Sequence, residues 1–300
     1  MQANDHRIDQ KVNILMRRLK KILKVVVFII LILILGILIA AHLMLKPKSD
    51  DKVLEKLDNA FHKPFISHNK YKNFEYRVIA MQKVIDSTLP TLVFVHGSPG
   101  SPLDFARYFK DSLLNNKSNI LGYERVGYGL MNAGNIQGSI KSELEILHDV
   151  IKNIPSERIV LIGYSYGGTI VLASPKNYKF KVSLASAISA DLEPMFWILN
   201  LYKWSITRPL IPKIVQAAAK EKYAHLTDLP KYETLWTISE SPVINIQGDK
   251  DWIVPYENSL ILEPKFRDKD FKMVTIQGGG HALIWSDFDL IKNEILWTLD

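Results

Sequence analysis

A single hydroxyl stands between glycines in the run RIVLIGYSYGGTIVL, residues 158–172, where Ser165 lies midway between Gly163 and Gly167. A serine hydroxyl is a weak nucleophile near neutral pH and becomes useful only beside a base that is itself oriented by a carboxylate. The spacing Gly-x-Ser-x-Gly has a steric reason. A strand that turns at once into a helix leaves no room for side chains two residues before and after the serine, and the strained turn holds the serine oxygen above the sheet. The base must come from eight histidines. His6 precedes a long apolar segment and His42 lies within it. His62, His68, His148 and His225 have no motif around them and read as surface or capping residues. His96 belongs to VFVHGSPGSP, and His281 stands in IQGGGHALIW, whose glycines let a loop carry an imidazole over the serine. The carboxylate candidates are Asp249 and Asp251 in NIQGDKDWIVP and Asp191 in SADLEP. No further ligand cluster accompanies the paired aspartates, so a metal is not expected there.

With a strand before Ser165 and a helix after it, the chain resembles the α/β-hydrolase family over roughly residues 74–300. The resemblance implies that Ser165 is the nucleophile, His281 the base and Asp251 the acid. Asp249 remains as a turn cap, and Asp191 as an acid at the preceding strand end. VFVHGSPGSP is similar to the family's His-Gly-x-Pro-Gly turn, which implies that the backbone N–H groups of Ser98 and Tyr166 form an oxyanion hole. The same HGSPG lacks the lysine and Ser/Thr ending of a phosphate-binding loop. LGYERVGYG, residues 121–129, resembles a structural stretch in which the family commonly has aspartate where Glu124 stands here. A serine at the turn, rather than an aspartate, speaks against the dehalogenase and epoxide hydrolase branches.

The resemblance thus implies acyl transfer through an acyl-enzyme, with no metal or organic cofactor. Carboxylic ester hydrolysis of an apolar or lipid-like substrate is the first expectation. Thioesterase, amidase and carbon–carbon hydrolase chemistry stay open, because a triad alone does not choose the leaving group. A non-catalytic binding module on the same fold is the alternative from another class.

These residues need a frame to bring them together. FEYRVIAM, TLVFVHG, RIVLIGYS, KVSLASAIS, PVINIQGD and KMVTIQGG read as strands, most of them short continuous apolar runs. Between them IKSELEILHDVIKNI repeats apolar residues at 140, 144, 147, 151 and 154, the spacing of one helical face. A closing helix uses Ile284, Phe288, Ile291, Ile295 and Leu299. The alternation predicts an α/β fold with a mostly parallel sheet flanked by helices. Residues 191–240 break the rhythm. They are helix-like and aromatic, cut by Pro209, Pro212 and Pro230, and predict a cap inserted between two strands.

Ahead of this frame, VVVFIILILILGILIAAHLML, residues 25–45, carries no formal charge and is apolar on every side. As a helix it would reach about 30 Å, enough to cross a bilayer core. Its core is long and its cleavage site poor for a removable signal peptide, so an uncleaved single-pass anchor is expected. Of the net charge of +7, the segment 1–24 holds +5, leaving +2 for the rest. Such a body lacks the basic face that nucleic acid demands. The basic amino-terminal flank places that end in the cytoplasm and the body on the extracytoplasmic side. Residues 46–73 read as a polar linker with a short helix around 53–60. The chain has no cysteine, which removes thiolate and disulfide chemistry.

Overall fold

In the computed structural model the described residues are 2–58, 63–266 and 271–300, with side chains from residue 15 onward. One eight-stranded sheet organises them, in the order β1-β2-β4-β3-β5-β6-β7-β8. Its strands are β1 Phe65–Tyr71, β2 Phe74–Ala80, β3 Thr91–Val95, β4 Asn119–Tyr123, β5 Ile159–Tyr164, β6 Phe180–Leu184, β7 Val243–Gly248 and β8 Phe271–Ile276. The β1–β2 and β2–β4 pairs are antiparallel, and every pair from β4 to β8 is parallel.

Alternation along the central strands builds a core on both faces. Val93 and Val95 of β3, with Ile159 and Leu161 of β5, pack against Ile140, Leu144 and Leu147 of the helix Ile140–Val150. Leu92 and Phe94, with Val160 and Ile162, pack on the other face against Phe105, Phe109, Ile291 and Ile295. Full burial of such a side chain stabilises by about 1.5–3 kcal/mol, so strands this apolar hold their register firmly. The fold has the expected α/β architecture.

Two parts of the presumed linker belong to this frame. The helix Asp50–Leu57 starts three residues earlier than expected and buries Val53 and Leu57 in the second core face; residues 59 and 60 lie outside the described residues. β1 pairs along its whole length with β2. Its sequence FISHNKY is poor in aliphatic residues because an edge strand has little to bury, and none of its residues is fully buried. Residues 46–73 are therefore not a free connector.

The insertion between β6 and β7 is helical, as predicted, and its longest element is the helix Lys213–Asp228, which begins directly after Pro212. The apolar segment 25–45 lies, up to Met44, in one helix, Gln2–Met44. Among the described residues it is the one helix long and apolar enough to cross a membrane, and its apolar part is unburied by the rest of the chain.

Candidate active site

The turn after β5 takes the form its glycines dictate. Ser165 adopts φ 54° and ψ −126°, a region costly for a residue with a side chain. A Cβ on Gly163 would stand 2.3 Å from the Gly167 carbonyl oxygen, and one on Gly167 would stand 2.1 Å from that of Val95. Only glycine fits either position. The helix Tyr166–Ala173 starts at once, and the Ser165 N–H donates to the Leu184 carbonyl at 2.7 Å. Both β5 neighbours thus fix the serine, which is 9% exposed.

The loops after β7 and β8 bring Asp251 and His281 to the same rim. His281 Nδ1 lies 2.7 Å from Asp251 Oδ2, and its Nε2 lies 3.1 Å from Ser165 Oγ. With Nδ1–H donating to the carboxylate, Nε2 presents its lone pair to the serine. Asp251 is itself held. Its Oδ1 accepts from the N–H groups of Ile253 and Val254, both at 2.9 Å, and its Oδ2 also accepts from Gln247 Nε2 at 3.0 Å. The Tyr164 hydroxyl donates to the His281 carbonyl at 2.8 Å and steadies the loop from below. Asp249 does not reach the histidine side chain; its carboxylate accepts from Gly278 N–H at 2.7 Å and closes the β8 loop. Asp191 is exposed in a short 3₁₀ turn, away from this chain of bonds.

Ser98 follows β3 beside the serine, joined to Pro99 by a cis peptide bond. Among the described residues the N–H groups of Ser98 and Tyr166 have no acceptor. The Ser98 hydroxyl, 2.6 Å from the Tyr128 hydroxyl, donates to it while Tyr128 donates to Glu221 at 3.1 Å.

Beneath that turn lies a buried ionic cage not foreseen from sequence. Arg125, fully buried, donates to Glu143 and Glu221 and to the carbonyls of His96 and Gly97. Its N–H donates to His96 Nε2 at 3.0 Å, which places the imidazole proton on Nδ1, 2.8 Å from the Gly97 carbonyl. Burial, with the Arg125 charge beside it, pushes the His96 imidazole down to about 3. His96 is thus a neutral strut. Glu124, in the position where the family commonly has aspartate, makes a two-point bond to Arg77.

Between this rim and the cap lies a cavity of about 320 Å³ that opens on Ser165, at the small end for organic ligands. Its walls are mainly apolar, including Phe196, Leu199, Tyr202, Ile211 and Val215. Of the cap aromatics, Phe196 and Tyr202 therefore face the cavity, whereas Trp197 and Trp204 are exposed. His225, read from sequence as a surface or capping residue, is buried here. Its ring stacks on Tyr166 at 4.5 Å, and its Nδ1 lies 2.8 Å from Glu193. Burial pulls the Glu193 carboxyl upward, but the hydrogen bonds and charges of His225 and Lys222 outweigh it and hold the group below its ordinary value. No run of neighbouring residues signals this cluster, because Glu193 is brought to it from 32 positions away.

A parallel sheet, a strained serine turn and the loops of later strands converging on it decide the architecture. The chain has the α/β-hydrolase fold. Residues 148–296 match the Prolyl oligopeptidase family (Peptidase_S9), a range that contains Ser165, Asp251 and His281 but not the Ser98 turn. A curated relative, acyl-protein thioesterase 1 of Neurospora crassa, is 24% identical over 164 residues. That match covers 52% of this chain, which spans only 55% of the relative's length. Solved structures repeat the fold. A candidate lipase from Acinetobacter baumannii AYE aligns at TM-score 0.62 and 18% identity, over 84% of this chain and 96% of its own. An α/β hydrolase from a Medee basin deep-sea metagenome library aligns at 0.60 and 14%, over 77% and 96%. A membrane phospholipase A, described as a bacterial virulence factor, aligns at 0.58 and 14%, over 94% and 96%. Together with the family match, these likenesses support a hydrolase.

Proposed function

We propose that this α/β hydrolase is a membrane-anchored serine esterase that takes apolar acyl substrates and works through an acyl-enzyme. The observation that carries the reading is the unbroken relay from Asp251 through His281 to Ser165, at 2.7 and 3.1 Å. In the first step the Ser165 proton passes to His281 Nε2 as Oγ bonds to the substrate carbonyl carbon. The negative oxygen that forms is received by the N–H groups of Ser98 and Tyr166, each such donor being worth about 3 kcal/mol to a transition state. Collapse breaks the bond to the leaving group, which takes the proton from His281. Water then gives a proton to His281, attacks the acyl carbon and releases the acid, while the proton returns to Ser165. Asp251 keeps the imidazole in the tautomer that makes each transfer possible.

The mainly apolar walls of the cavity support an acyl chain as its occupant. The uncharged stretch 25–45 supports a single crossing, with the amino end cytoplasmic and the hydrolase on the extracytoplasmic side. A thioester substrate is the second reading, favoured by the thioesterase relative. Matched oxyesters and thioesters of the same acyl chain, graded by length, separate the two by their kcat/KM ratio.

The test begins with a fluorophosphonate probe on the full chain. Wild type is labelled and Ser165→Ala is not, with kcat lowered on the order of 10⁶-fold. Asp251→Asn, which disturbs the imidazole tautomer, lowers kcat on the order of 10⁴-fold. Labelling that survives Ser165→Ala would reassign the nucleophile. Folded wild type that takes no label and cleaves no ester would make the chain a binding module.

A further inference from the structure

The anchor is fastened to the catalytic body rather than tethered to it. Arg77 of β2, itself buried, donates to the Asp50 carboxylate at 2.5 Å and to the Lys48 carbonyl at 2.8 Å. Val53 and Leu57, a few residues on, are plugged into the core. The end of the anchor helix is therefore held in a set position. Met44 and Leu45 line one cleft with Ser101 and Pro102 of the turn after β3 and with Ile214 of the cap helix. Further back along the anchor, Leu35, Leu38, Ile39, His42 and Leu43 line a second cleft with Pro209 and Leu210 of the cap.

That second cleft sets a depth. The uncharged stretch ends at Leu45, and a helix rises 1.5 Å per residue. Leu43 thus lies about 3 Å, and Leu35 about 15 Å, inside the extracytoplasmic end of the span. Pro209 and Leu210, which line one cleft with this face of the helix, stand at the same depth. We propose that the apex of the cap, residues 197–210, is immersed in the extracytoplasmic leaflet of the bilayer that the anchor crosses, and that the catalytic cavity opens at its headgroup level. The proposal rests on the reading of residues 25–45 as a membrane anchor.

The chemistry of the apex matches that occupant. Trp197, Ile198, Trp204, Ile206 and Leu210 are 73, 56, 55, 85 and 50% exposed. Such a concentration of large apolar side chains is unfavourable against water and marks a contact surface. Tryptophan in particular suits the boundary between lipid and water. The two cations of the apex are occupied within the protein. Lys203 sits 4.1 Å from the centre of the Tyr223 ring, and Arg208 donates to the carbonyls of Tyr202 and Lys203. At the anchor's end, Lys46, Lys48 and Lys56 line the first cleft, at the level of lipid phosphates. Ile198 joins surface to site, since it is exposed at the apex and also lines the catalytic cavity. An acyl chain leaving the leaflet would reach Ser165 without crossing water.

The absence of cysteine makes the test clean. Ile37→Cys in the anchor, Ile206→Cys at the apex and Val84→Cys on the opposite rim of the sheet are each labelled with an environment-sensitive fluorophore. The full-length chain is then placed in phosphatidylcholine vesicles carrying a spin label on the acyl chain. Labels at 37 and 206 should be strongly quenched by the lipid and shielded from iodide, while the label at 84 behaves in the opposite way. Quenching at 37 with position 206 open to iodide overturns the immersed cap and leaves the anchor intact. A label at 37 that lipid fails to quench overturns the anchor reading, and this proposal with it. Quenching at 84 as strong as at 206 means general adsorption to the vesicle and also overturns it.

Discussion

The rim that carries Ser165 and the cap face each other across one cavity, yet they are built by opposite means. At the rim, backbone sterics and hydrogen bonds over-determine each group of the proposed triad. Asp251 receives four bonds, and Ser165 is held in a conformation that the glycines around it permit. Among the described residues, Glu193 Oε1, His225 Nε2 and Trp236 Nε1 of the cap are buried without a hydrogen-bond partner, where the rim has Gln247 Oε1, and large apolar side chains of the cap point outward. The difference teaches where precision is needed. A proton relay works only at fixed distances, whereas the wall of an apolar cavity has to fill space and exclude water. The two halves meet in the Arg125 cage, where Glu221 from the cap helix completes the support of the turn that carries Ser98.

Disturbing the rim should have the largest effect. In Gly167→Ala the new methyl would stand 2.1 Å from the Val95 carbonyl oxygen, so β3 or the elbow helix must move. Loss of about 4 kcal/mol or more is expected, seen as insoluble expression or a collapsed denaturation midpoint. A variant as stable as wild type would show that the elbow yields more than its contacts allow. Glu221→Ala tests the joint between the halves. It leaves the buried Arg125 with Glu143 as its remaining carboxylate partner, and about 3 kcal/mol of stability should go. Activity should fall as well, because Tyr128 loses the acceptor that orders it against Ser98. Equal loss of stability with unchanged kcat would mean that the cage supports the fold alone.

The same contrast explains which features could be read from sequence. The elbow was legible because backbone crowding admits only glycine at 163 and 167, so geometry leaves a signature in residue type. The six expected strands were legible because runs such as VLIG or VINI have no solvated side. β1 and β4 were not. FISHNKY has Ile66 as its single aliphatic residue at an exposed edge, and NILGY is too short to stand out beside its glycine. The Asp50 helix was legible only in part, since two buried residues, Val53 and Leu57, make a weak period. The cage left no local trace at all. Arg125 and Glu221 are 96 positions apart, and each resembles an ordinary surface charge until the fold buries it. Placing the role of Ser98 depended on resemblance, since nothing in the composition of HGSPG distinguishes an oxyanion turn from a plain loop.

A smaller effect separates the strut beneath the Ser98 turn from ordinary histidines. Burial, with the Arg125 charge beside it, pushes the folded His96 imidazole down to about 3, against about 6.5 in an unfolded chain. Below pH 6.5 the unfolded chain takes up a proton that the native one refuses. Native stability must therefore fall as pH drops toward 3, and rise again to its full value above 6.5. Between pH 7 and pH 5 the loss from this group should be about 2 kcal/mol, measured by urea titration. His96→Gln can keep a donor and an acceptor in place but cannot titrate. It should flatten the profile over that interval, and an unchanged slope would assign the acid sensitivity to other groups.

The smallest effect belongs to the outward face of the cap. Trp197 is 73% exposed, so truncating it removes little that folding has buried. Trp197→Ala should change the unfolding free energy in detergent by no more than about 0.5 kcal/mol. A core tryptophan of the same size would lose about 3–5 kcal/mol on truncation. A near-zero value means that this side chain contributes nothing to the packing of the cap, which leaves an external contact as the physical reason for so large an apolar group there. A loss of several kcal/mol would instead draw Trp197 into the cap's own core and erase the distinction between its two faces.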